Sequence, residues 1–169
     1  MTSEEQLAAA GAPQPPRDDR EPLDVPAAQR LSEQVADATS AGAVLTSAGD
    51  PDGAHFPFGV LTDVPRESDA FYQELFGPVA MVFKAKDEVE AIAVANDTPF
   101  GLGSYVFTND PEQARRVAGK IEAGMVFVNL VDADGVELPF GGVKRSGVGR
   151  ELGRFGIEEF VNRKMIRMG

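Results

Sequence analysis

The sequence has no cysteine, and His55 is its only histidine. Without cysteine these residues can form no disulfide, thiolate metal site or thiol nucleophile. A histidine-based triad or metal centre would rest on His55 alone, in the loop Asp50-Pro51-Asp52-Gly53-Ala54-His55, where a solvated loop histidine is expected. Basic residues are also scarce. Sixteen Lys and Arg against twenty-seven Asp and Glu leave a formal charge of −11, which repels phosphate backbones and anionic lipid and offers no counterion release to drive nucleic-acid binding. No apolar run approaches the roughly 20 residues of a membrane-spanning helix. The start of the chain, with acids at Glu4 and Glu5, lacks the basic-then-apolar pattern of a signal peptide. A cytoplasmic chain with neither a nucleic-acid nor a membrane partner is expected.

What is present fits ordinary globular usage, with 43% hydrophobic and 25% charged residues. A chain of 169 residues is long enough for one core that hides roughly 70% of the unfolded surface. Residues 1–23 hold Pro13, Pro15, Pro16 and Pro22 among Arg17, Asp18, Asp19, Arg20 and Glu21. Such a segment cannot offset its ordering entropy, and disorder is predicted for it. From Asp24 a capping residue and Pro26 precede Leu31, Val35 and Ala38 at helical spacing, with Gly42 ending a helix of about four turns. Short strands are predicted at 43–45 and 59–61, separated by a loop from Ser47 to Gly53.

The strongest periodic signal runs from Pro78 to Asn129. A buried strand at 79–83 leads to Asp87 and Glu90, a capping-box analogue opening a helix through Ala95. A strand follows at 104–107. Asp110-Pro111 then starts a helix with Ala114, Val117, Ala118 and Ile121 on one face, stopped by Gly124, and a further strand covers 125–128. Strands alternating with amphipathic helices predict an α/β fold, a largely parallel βαβ sheet with both faces covered. Beyond Pro139 the chain is glycine-rich, and one or two short helices precede a terminal strand at 163–169 able to extend a sheet edge in this chain or a partner.

Three segments in order carry a resemblance: Glu74-Leu75-Phe76-Gly77-Pro78-Val79, Ala95-Asn96-Asp97-Thr98-Pro99-Phe100-Gly101-Leu102, and the run Pro139-Phe140-Gly141-Gly142-Val143-Lys144-Arg145-Ser146-Gly147-Val148-Gly149-Arg150-Glu151. Together they resemble the aldehyde dehydrogenase superfamily. The texture of 61–65 and 155–160 is similar to its succinate-semialdehyde dehydrogenase branch. The likeness implies a part of that catalytic domain over 24–162, with 163–169 as a subunit-association strand.

In that superfamily a cysteine thiolate attacks the aldehyde, hydride leaves for the nicotinamide of NAD or NADP, and a glutamate-activated water hydrolyses the thioester. The cysteine, the glutamate base and the oxyanion asparagine lie upstream of where the likeness begins. No strand leads into a dinucleotide loop either, so binding of NAD or NADP by this chain alone is not expected. The resemblance implies no catalytic residue and no metal ligand here. It does imply that Glu74 hydrogen-bonds the nicotinamide ribose, that Phe76 packs near the nicotinamide ring, and that Phe140 stands close to the aldehyde pocket. Read without the resemblance, Glu74 also fits a solvated loop acid, and Phe76 and Phe140 fit turn-anchoring core aromatics.

Gly147-Val148-Gly149-Arg150-Glu151-Leu152-Gly153 has the look of a stretched dinucleotide fingerprint. No buried strand leads into it and no acid ends a second strand some twenty residues on, so its glycines are read as permitting tight turns. Lys144 and Arg145 are expected to be solvated. Between Asn129 and Pro139, Asp132 and Asp134 stand where succinate-semialdehyde enzymes tend to place a hydroxyl residue, and they would repel a substrate carboxylate.

The expected function is therefore a C-terminal fragment of an NAD(P)-dependent aldehyde dehydrogenase, from a truncated or frameshifted gene and inactive alone. Two alternatives stay open. One is a subunit of a split enzyme completed in trans by an upstream chain. The other is a non-catalytic oligomerisation module that binds a full-length relative. A homo-oligomer, or association with such a chain, is expected.

Overall fold

The computed structural model describes residues 24–131 and 135–169. The segment 1–23 and residues 132–134, with Asp132 and Asp134 among them, lie outside the described residues. The chain divides into two units, one ending at Val82 and the other beginning at Phe83.

In the first unit, helix α1 spans Val25–Ser40. The Asp24 carboxylate accepts from the Ala27 N–H at 2.6 Å, satisfying a donor the first turn would leave bare, while Pro26 sits where no N–H is needed. Ala28, Leu31, Val35 and Ala38 form its buried stripe. Gly42, at φ +117, closes the helix: its N–H reaches Thr39 O and that of Ala43 reaches Ala38 O, both at 3.0 Å. That left-handed turn is the reason glycine stands there.

Strands β1 (Val44–Ser47), β2 (Gly59–Thr62) and β3 (Val79–Met81) form a sheet in that order. β1 runs antiparallel to β2, with Leu45 opposite Leu61, and β3 runs parallel to β2, with Val79 opposite Gly59. Leu31 and Leu61 are wholly buried, and Val35, Val64, Phe71 and Val79 belong to the same unit's core.

The second unit contains α2 (Glu88–Asn96), β4 (Gly103–Val106), α3 (Pro111–Ala118), β5 (Met125–Val128) and α4 (Gly153–Glu158). β4 and β5 pair in parallel across α3, a βαβ unit, and the facing Tyr105 and Phe127 rings stack 5.4 Å apart. Asp87 and Asp110 cap α2 and α3 through their carboxylates. In the reciprocal bond the Glu90 carboxylate accepts from the Lys86 N–H at 2.8 Å, one residue before the cap, so the capping box is displaced by one position.

The mixed α/β class is as expected, but the single, largely parallel sheet is not. The strands are divided between a three-stranded and a two-stranded sheet, and β1–β2 is antiparallel. Nor are both faces covered, since no residue of β4 or β5 is fully buried. Of the eleven buried apolar side chains among the described residues, only Ala114 belongs to the second unit. α3 also stops at Ala118 rather than near Gly124. The Asn96 side chain explains this: it donates to Lys120 O and accepts from the Glu122 N–H, each at 2.8 Å, so a tertiary contact takes backbone groups that a longer helix would use. Residues 163–169 pair with no strand among the described residues, and Met165, Ile166 and Met168 are exposed. No helix among the described residues is long and apolar enough to cross a membrane.

α2 and α3 are tied by Glu88, which accepts from Arg116 Nε at 2.7 Å, Arg116 Nη2 at 2.8 Å and Gln113 Nε2 at 3.1 Å. The Arg116 donors, then that of Gln113, hold the Glu88 carboxyl down at about 2 instead of 4.5, and Arg116 is shifted up by the same pair. A depressed carboxyl contributes stability that is fully present above the unfolded value and is lost as pH falls through the folded one. Amide protection of α2 and α3 is therefore expected to decline between pH 4.5 and about 2. In Glu88→Gln that decline should be shallower, by a modest amount because the pair is at the surface. Hydrogen exchange at several pH values measures it, and an unchanged profile in Glu88→Gln would refute the assignment.

Candidate functional site

The loop that leads into β3 is built from two tight turns. The Gly77 N–H reaches Leu75 O at 2.9 Å and the Val79 N–H reaches Gly77 O at 2.8 Å, three-residue turns centred on Phe76 and Pro78. The first turn pushes the Phe76 ring outward, where it is 78% exposed. Beneath the loop, Gln34 of α1 donates to Glu74 O at 3.1 Å and to Gln73 Oε1 at 3.3 Å. The helix thus holds the backbone of Glu74, while its exposed carboxylate has no partner among the described residues. Phe76 is not a core anchor in this chain. Phe71, buried at the start of the same segment, has that role.

Phe140 belongs to the second unit. Its backbone exchanges two hydrogen bonds with Glu151, at 2.8 and 2.6 Å. The ring is half-buried and lines a cleft of about 190 Å³ together with Met125, Phe127, Leu138, Pro139 and Leu152. Every described residue lining that cleft is apolar or glycine. It can hold an apolar group, and its described lining presents no nucleophile, acid or base.

Close backbone approach shapes the cleft. A Cβ at Gly124 would lie 1.9 Å from Gly141 O, and one at Gly142 would lie 2.7 Å from Ser146 Cβ. The loop is fastened by Val143 N–H to Gly101 O and Arg145 N–H to Pro99 O, both at 2.9 Å, and by Gly101 N–H to Ser146 Oγ at 3.0 Å. Gly147, Gly149 and Gly153 adopt left-handed φ values of +108, +91 and +54, which fits their reading as turn glycines.

Glu74 and Phe76 thus share one exposed loop, and Phe140 walls a cleft in the other unit. Three positioning groups escaped the sequence reading: Gln34, Asn96 and Lys144. Lys144 is not freely solvated, because its side chain is 25% exposed and its Nζ lies 2.9 Å from Glu122 Oε2. Arg145 is placed by the Phe100 ring, 5.7 Å from its centroid. A long base inside a run of glycines was the available signal.

Comparison with known proteins places this geometry. The family model described as "Aldehyde dehydrogenase family" matches residues 12–166. A succinate-semialdehyde dehydrogenase (NADP(+)) of Deinococcus radiodurans is 46% identical over 144 residues, 83% of this chain and 30% of the relative. One from Mycobacterium ulcerans is 47% identical over 142 residues, 82% of this chain and 31% of the relative. The crystal structure of succinic semialdehyde dehydrogenase from Streptococcus pyogenes in complex with NADP+ superposes with a TM-score of 0.85 at 38% identity, covering 94% of this chain and 36% of that one. This chain spans about a third of the length of those relatives. The matching sequence and the superposing fold agree: the chain belongs to the aldehyde dehydrogenase family.

Proposed function

We propose that these residues supply the C-terminal portion of an NAD(P)-dependent aldehyde dehydrogenase site, oxidising an aldehyde to its carboxylic acid, and that by themselves they do not turn over. The observation that carries this reading is the absence of cysteine from a chain of this family. The thiolate, the general base and the oxyanion donor must come from other residues.

What the chain contributes is binding surface. The Glu74 carboxylate, exposed and without a partner among the described residues, suits the two hydroxyls of the nicotinamide ribose. Such a charged hydrogen bond contributes roughly 1.5 to 3 kcal/mol, too little to hold a dinucleotide alone. The neighbouring Phe76 offers a bare aromatic face to a flat ring. NAD or NADP, when bound, accepts the hydride. Phe140 and the apolar cleft beside it take the body of the aldehyde. The relatives named for succinate semialdehyde support the reaction class, and the proposal extends to that class and not to one aldehyde.

Completion of the site by a second chain is favoured by the uneven core: among the described residues, one buried apolar residue belongs to the second unit and ten to the first. The test is to mix the purified chain with the cysteine-bearing upstream portion of a relative, then follow aldehyde-dependent NAD(P)H formation. Restored turnover that falls in Glu74→Gln supports the reading. A stable mixed oligomer without turnover would instead favour non-catalytic association, and no association at all would defeat completion in trans.

A further inference from the structure

Lys144 has a backbone φ of +56, a left-handed conformation that a long side chain adopts only when its surroundings compensate for it. The compensation is visible. Its Nζ donates to Asn96 O at 2.7 Å and Thr98 O at 3.2 Å and pairs with Glu122 Oε2 at 2.9 Å. An ammonium has three donors, and all three find acceptors on two other segments. Those segments are joined to each other by Asn96, whose side chain holds Lys120 O and the Glu122 N–H. Gly124, two residues beyond Glu122, is the position against which Gly141 is stacked.

We propose that Lys144 is a positioning residue for Phe140, clamping the loop 140–146 onto the segments 96–102 and 122–124 so that the Phe140 ring keeps its place in the wall of the cleft it shares with Met125 and Phe127. The proposal rests on the reading of Phe140 as a wall of the aldehyde pocket. Its physical content is a sign. Were Lys144 an ordinary solvated base, Lys144→Gly would relieve the left-handed strain and tighten the loop. As a clamp, the same change loosens the loop despite that relief.

The test uses the whole chain with ring-fluorinated phenylalanine, the Phe140 resonance being assigned by its loss in Phe140→Leu. Lys144→Met and Lys144→Gly are expected to shift or broaden the Phe140 resonance. Amide exchange at Val143 and Arg145 should rise by about tenfold or more. The Phe71 resonance, from the first unit, should stay in place. Lys144→Arg, which keeps the charge and the donors, should return Phe140 towards its original position. An unmoved Phe140 resonance in Lys144→Met, or slower exchange in Lys144→Gly, would overturn the proposal. Should both variants fail to fold, Glu122→Gln removes the ion pair alone, and it must shift or broaden the Phe140 resonance relative to the unsubstituted chain or the proposal falls. Turnover by the unaccompanied chain would refute the proposed function while leaving these resonances as they are, so the two failures are distinguishable.

Discussion

Replacing Gly124 with alanine is expected to unfold the second unit and leave the first one folded. Gly124 is not at a positive φ, so its backbone suits alanine, and Gly→Ala at such a site would ordinarily stabilise by about 0.4 to 1 kcal/mol. Here the added methyl would stand 1.9 Å from Gly141 O and 2.7 Å from Gly141 C. Both obstacles are backbone, and the loop that carries them is held by Val143, Arg145 and Ser146 to residues 99–101, so it cannot swing aside. Overpacking costs about 1 to 3 kcal/mol, and more where, as here, the obstacle is fastened backbone. Peptides covering 99–107, 122–130 and 139–147 should lose amide protection together while 25–47 keep theirs. Retained protection around Gly141 would show that the segments are not stacked as described.

Leu61→Ala should act in the opposite half. Leu61 is wholly buried at the centre of the β1-β2-β3 sheet, and among the described residues the second unit contributes only Ala114 to the buried apolar set. Truncating a buried leucine costs about 3 kcal/mol, which is roughly a hundredfold in the opening equilibrium. Protection should fall by that order across 25–82, the first unit, with 103–128 changing little. A uniform loss over the whole chain would mean that the two units unfold as one.

The parts of this fold written in local chemistry were legible. Asp24, Asp87 and Asp110 each cap the helix the sequence assigns to them, and Gly42 ends α1 through a turn that only a left-handed residue makes easily. Capping depends on residues three or four apart, so a linear reading finds it. Strand partners do not have that property. The pairing of Val44 with Thr62, antiparallel, and of Gly59 with Val79, parallel, joins residues some twenty positions apart, and alternation of strand and helix could not reveal that the strands fall into two sheets.

The candidate site was legible only through the family motifs. Glu74, Phe76 and Phe140 carry no local signal that separates them from a loop acid and two turn aromatics. The structure narrows one of these alternatives, because a ring as exposed as that of Phe76 anchors no core. The supports beneath them were illegible for a physical reason. Gln34 reaches a residue forty positions away, and Lys144 one forty-eight away. Contacts at that separation leave no mark in composition or periodicity.

The central claim is chemical: a chain of the aldehyde dehydrogenase family that holds no cysteine has no thiolate with which to begin that family's reaction. Loss of the nucleophile alone from a hydrolase costs about a millionfold. The decisive measurement is NAD(P)H absorbance with the purified chain, a panel of aldehydes, and each of NAD+ and NADP+ in turn, with no companion polypeptide present. The account predicts a trace indistinguishable from the enzyme-free control. A steady, aldehyde-dependent rise proportional to the concentration of this chain would contradict it.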